Sequence, residues 1–128
     1  NAKFITAYDG IVYGVSISLG FATFENILYL FAHGIEFAFT RAIFPVSAHA
    51  LFGVVMGYYM GRARIHPVKK NTFLFLALCL PILLHGTYDY ILIAIGDWWI
   101  YGIVPFMIFL WLYSLRKVKI ANGMRHQI

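Results

Sequence analysis

The chain has 128 residues, of which 62% are hydrophobic and 12% charged, about half the charged share of an ordinary soluble domain. Its 12 Phe, 9 Tyr and 3 Trp and its mean hydropathy of +0.77 are spread over several long apolar runs, which excludes a water-soluble monomer and indicates a polytopic membrane protein. Ten Lys and Arg against five Asp and Glu leave a net charge of +5, but the cations sit beside apolar spans and not in a basic patch with interleaved aromatics, so nucleic acid is not an expected partner. The single cysteine, Cys79, allows no intrachain disulfide, and no secretory signal peptide is expected from the order of residues at the start.

Four apolar runs are long enough to cross ~30 Å of hydrocarbon, which takes ~20 helical residues. They cover roughly 10–32, 42–61, 72–95 and 98–115. The fold class expected is therefore all-α, an integral membrane protein with four transmembrane helices. The first connection, 34–44, is itself apolar apart from Glu36, Thr40 and Arg41 and reads as an interfacial or partly re-entrant segment. The second connection carries Arg62, Arg64, Lys69 and Lys70, and the tail carries Arg116, Lys117, Lys119 and Arg125; neither contains an acid. By the positive-inside rule both face the cytoplasm, as Lys3 at the start agrees, so both termini are expected inside. Trp98, Trp99 and Tyr113 are expected as interfacial anchors, and Pro81 and Pro105 as kinks in the third and fourth helices.

Four ionisable residues fall inside the spans, where a charge costs at least ~2.5–3.5 kcal/mol near the centre. They are Glu25, His49, His85 and Asp89. At ~1.5 Å per residue from the inner helix ends, Glu25 lies about 22 Å in, His49 and His85 about 20 Å, and Asp89, one turn beyond His85, about 26 Å. Three helices thus bring polar groups to one level. Glu25 continues the stripe Gly14, Ser18 and Phe21, while His49 heads the series Gly53, Gly57 and Gly61, the small-residue spacing that packs membrane helices closely. His33, His66 and His126 lie at span ends or in loops and read as solvated. Asp9 reads as a helix cap and Asn26 as a neighbouring hydrogen-bonding group.

A carboxylate and two imidazoles in a helix-lined cavity can activate water, donate to a developing oxyanion and use Asp89 to orient His85. Equally, Glu25, His49 and His85 are a donor set for zinc, with Asp89 behind them. The residues leave both open. There is no HExxH, no GxSxG and no paired Ser and Lys, and Ser47 points to another helix face than His49.

The runs DGIVYG at 9–14, LGFATFENILY at 19–29, HALFGVVMG at 49–57 and HGTYD at 85–89 resemble the PrsW family of intramembrane proteases, relatives of the type II CAAX-prenyl and bacteriocin-processing proteases. The family's FxxxE motif maps to Phe21 and Glu25, its lone histidine to His49, and its HxxxD motif to His85 and Asp89. The resemblance implies catalytic roles for Glu25, His49, His85 and Asp89 in cleaving membrane-anchored protein substrates, in the cytoplasmic membrane of a bacterium. Its Glu-Glu motif helix, EExxK or EExxR, has no counterpart here, so residues 1–128 are expected to form a partial membrane-embedded protease core. Either missing glutamates supply the general base or Glu25 does so alone; in the first case the fragment is expected to be inactive. Two other readings of the same residues are a haem or metal carrier ligated by His49 and His85, and a non-catalytic scaffold or transporter subunit.

Overall fold

The structure is a computed structural model that describes residues 6–36 and 43–125. Most of the apolar first connection, including Thr40 and Arg41, lies outside the described residues, as do Lys3 and His126. Four long helices make up the described fold: α1 (Ala7–His33), α2 (Pro45–Ile65), α3 (Lys70–Ala94) and α4 (Trp99–Arg125). Single 3-10 turns, Pro67–Lys69 and Gly96–Trp98, join α2 to α3 and α3 to α4.

Local chemistry explains most of the helix ends. Thr6 caps α1 reciprocally: its hydroxyl accepts from the Asp9 N–H at 3.2 Å, and the Asp9 carboxylate accepts from the Thr6 N–H at 2.7 Å. That capping role is the one expected of Asp9. Thr6→Ala should therefore destabilise the helix by ~1 kcal/mol, measurable as a lower unfolding midpoint in detergent. α1 stops at Gly34, whose φ of +90° disfavours any side chain. Pro45 opens α2, where its missing N–H costs nothing. By contrast Pro81 and Pro105 lie inside α3 and α4, and both helices continue through them. α4 also runs about ten residues past the expected end at 115, to Arg125. Cations near a helix C-terminus complement its dipole, and Lys117 has an internal partner set: its ammonium lies 4.8, 5.0 and 4.9 Å from the ring centres of Tyr58, Tyr59 and Tyr113.

α2 is the centre of the bundle. Ten of its 21 residues are buried, against two in α3, and it packs on α1, α3 and α4. α1 and α3 flank it with little direct contact between them. Two apolar clusters hold the layers together. One joins Ala48, Leu51, Phe52, Tyr88, Ile103, Met107 and Leu110; the other joins Ala7, Ile11, Val54, Tyr58 and Ala121. The second cluster brings the start of α1, the end of α2 and the end of α4 together. Arg62, Arg64, Lys69, Lys70, Arg116, Lys117 and Lys119 therefore share one end of the bundle, while Glu36 and Asp97 lie toward the other.

The outside of the bundle is apolar. Phe21, Phe24 and Phe31 on α1, Phe75, Leu78 and Ile82 on α3, and Ile108, Phe109 and Leu112 on α4 are all more than half exposed. Water would not tolerate so continuous an apolar surface around a small bundle, whereas lipid is its natural solvent. α1, the stretch from Pro67 to Ala94 and the stretch from Gly96 to Met124 are each long and apolar enough to cross a membrane. α2 does not reach that hydropathy because its sequence answers to other helices and not to lipid: glycines, tyrosines and a histidine fill the positions where backbones approach. Among the expected anchors, Trp98 is exposed, but Trp99 turns inward against Phe44, and the Tyr113 hydroxyl lies 3.1 Å from that of Tyr59.

Candidate active site

The site is built on the α1–α2 seam. A Cβ on Gly57 would collide with the carbonyl of Gly10, one on Gly14 would come within 2.5 Å of the Gly53 carbonyl oxygen, and one on Gly53 within 2.8 Å of the Gly14 oxygen. The two backbones are thus in direct contact over several turns. At the next turn of the seam Ser18 donates its hydroxyl to the His49 carbonyl at 2.6 Å. This bond locks α1 to α2 at the histidine and brings Glu25, two turns further along α1, level with the His49 side chain.

All four residues predicted from the sequence line one cavity of about 210 Å³, together with Tyr29, Pro45, Ala48, Phe52, Tyr88 and Leu92. The His49 Nε2 lies 3.9 Å from a Glu25 carboxylate oxygen, and the His85 Nδ1 lies 3.0 Å from an Asp89 oxygen. The two imidazoles meet edge to face with centres 5.2 Å apart. Phe52 fixes that relation, lying 6.0 Å from the His49 ring and 5.4 Å from the His85 ring. The His49 side chain is 14% exposed and forms the floor, whereas those of His85 and Asp89 are 44% and 51% exposed on the α3 wall. Among the described residues the cavity is consequently enclosed at His49 and open between α1 and α3. A shallower groove of about 440 Å³ reaches the same two histidines and Phe52 past Gly86 and past Pro81 and Ile82, about one turn earlier on α3.

Helical spacing accounts for the lining residues that single-residue inspection of the sequence left out. Tyr29 lies four residues after Glu25, Phe52 three after His49 and Leu92 three after Asp89, each on the face of the polar residue it follows. Their apolar or aromatic character concealed them among lipid-facing residues of the same kind. Asn26 differs from expectation, since its side-chain oxygen is buried with no hydrogen-bond partner among the described residues. His33 stacks on Tyr29, and His66 lies tilted against Phe73, both away from the histidine pair. Ser47 donates to the Ile43 carbonyl and does not line the cavity.

Residues 1–114 match the family described as PrsW family intramembrane metalloprotease. The chain belongs to the PrsW family. Its relatives named Protease PrsW include the Bacillus subtilis (strain 168) protein, 57% identical over 124 residues, which are 96% of this chain and 56% of the relative. The Oceanobacillus iheyensis protein is 53% identical over 122 residues, 95% of this chain and 56% of the relative. More distant is the Clostridioides difficile protein, 36% identical over 122 residues, 91% of this chain and 51% of the relative. The PrsW-family chain thus spans about half the length of the relatives it matches. No solved structure matches it.

The family description raises the question of a metal. Two imidazoles and a carboxylate are the right donors for a hydrolytic zinc site, which needs three of them about 2.0–2.2 Å from one point. Here the donors stand as two pairs, Glu25 with His49 and His85 with Asp89. Among the described residues no three His, Cys, Asp or Glu side chains converge closely enough to hold an ion. The side chains as placed do not make a metal site.

Proposed function

We propose that this chain is the partial core of an intramembrane endopeptidase that hydrolyses membrane-anchored protein substrates, with Glu25, His49, His85 and Asp89 as its catalytic residues. The observation that carries the reading is the convergence of these four side chains, from three helices, on one cavity. Membership of a family whose relatives are named proteases supports it.

The hydrogen-bond geometry divides the labour. With its Nδ1 3.0 Å from the Asp89 carboxylate, His85 in its neutral form keeps the proton on Nδ1 toward Asp89, which leaves Nε2 as the lone-pair nitrogen. In that state His85 can take a proton but cannot donate through Nε2; once protonated it donates, to an oxyanion or to the leaving amine. Glu25, at the wall opposite α3, is the base that takes a proton from water as it attacks the substrate carbonyl. His49 holds the Glu25 carboxylate and presents its imidazole to the developing oxyanion. The opening between α1 and α3 lets an extended substrate segment reach these groups from the side.

In the membrane, all four helices cross. α2 belongs with the other three because its 21 residues make a helix about 31 Å long. The basic end of the bundle faces the cytoplasm, which puts both termini inside and the catalytic level toward the outer leaflet of a bacterial cytoplasmic membrane.

Reconstitution of the complete protein with a membrane-anchored substrate tests the roles. His85→Ala should lower the cleavage rate by about 10²–10⁴-fold, and Asp89→Asn by less, because it misorients the ring without removing it. Wild-type rates for both variants would remove His85 and Asp89 from the mechanism.

A further inference from the structure

At the basic end of the bundle, two of the cations are engaged inside the protein. Arg62 donates to the Tyr58 hydroxyl at 3.2 Å and lies over the Phe73 ring, and Lys117 sits among three tyrosines. Arg64 and Lys70 are different. Both are exposed, and among the described residues neither pairs with a carboxylate. They line one cavity of about 350 Å³ with Met60, Ala63, Pro67 and Leu74. Val68, at the tip of the adjoining turn and between the cations, is fully exposed.

We propose that this cavity binds the headgroup of an anionic phospholipid, with the phosphate between Arg64 and Lys70. The guanidinium supplies a planar fork that matches phosphate oxygens, and the ammonium supplies a second, mobile charge. The walls decide between a lipid and a free anion. Met60 and Leu74 are each about two-fifths exposed and continue onto the apolar outer surface, where the first methylenes of an acyl chain would lie. A soluble phosphate would use only the cationic rim, whereas a phospholipid matches both the rim and the wall. Val68, an apolar residue bare between basic neighbours, suits a turn that dips into the headgroup layer. The inference rests on the membrane reading of the bundle and is independent of the proposed proteolytic chemistry.

The test is native mass spectrometry of the complete protein in detergent, given equimolar phosphatidylglycerol and phosphatidylcholine. Wild type should retain phosphatidylglycerol preferentially, and the double variant Arg64→Gln, Lys70→Gln should lose that preference by on the order of tenfold. Arg116→Gln with Lys119→Gln removes the same charge at the same end but outside the cavity, and should change retention less than about twofold. Lys70→Arg should keep it. Equal retention of the two lipids by wild type would overturn the site, as would an equal loss from both double variants, which would mean diffuse attraction. Displacement by glycerol 3-phosphate as effective as by the lipid would show a soluble-phosphate site instead.

Discussion

Glu25→Gln is expected to lower the rate of substrate cleavage by about 10²–10⁴-fold, the usual worth of a positioned general base. Glutamine keeps the size and planarity of the side chain, so the cavity that Glu25 shares with His49 should keep its shape. What it loses is the capacity to take a proton. The carboxylate also lies 3.9 Å from the His49 Nε2, and a neutral amide there attracts that ring less. The measurement is the initial rate in proteoliposomes with the complete protein, alongside its unfolding midpoint in detergent. The expected pattern is a collapse of kcat with KM and stability nearly unchanged, since the proton is transferred only in the transition state. Cleavage at the wild-type rate would assign the base to another residue.

Gly57→Ala should have the largest effect on stability. Its new methyl would meet the carbonyl group of Gly10 and the Cα of Ile11, all backbone atoms of α1, so no side-chain rotation can relieve the contact. The helices must separate, at a cost of about 1–3 kcal/mol or more. Separation also stretches the Ser18 bond to His49 and pulls Glu25 away from the imidazole, so activity should fall with stability. Gly20→Ala, on the facing helix α1, is the control, because a Cβ there meets nothing within 4 Å and alanine is the better helix former. Unfolding midpoints of the two variants that move together would show that the glycine seam does not govern the packing.

Much of this arrangement is legible along the chain. The four apolar runs predict four helices close to those observed, because a helix in lipid must satisfy its own backbone groups and so must be long and continuous. The polar exceptions within those runs predict the cavity residues, since a titratable group in a span needs a protein partner. The small-residue series from His49 predicts a close helix contact, and the polar residues of the family motifs line one cavity, whereas Phe21 of the FxxxE motif does not. Where expectation and structure part, packing is the cause. α4 continues past 115 because Lys117 finds three tyrosine rings and Ala121 packs against Ala7, Ile11 and Tyr58, and Trp99 and Tyr113 turn inward because Phe44 and Tyr59 are there to meet them.

With so few charges, the sequence by itself determined that the chain is a helical membrane protein, which residues are anomalous in its spans, and on which helix faces they lie. These follow from local physics: hydropathy, helical period and the cost of burying charge. Only the tertiary structure decided that α2 is the centre, that among the described residues α1 and α3 leave an opening, and that the donors form two pairs and not one converging set. Helical periodicity gives each residue an angle about its own axis. It carries no information on how the axes are placed relative to one another, and distances of 3 to 5 Å between side chains of different helices depend on that placement.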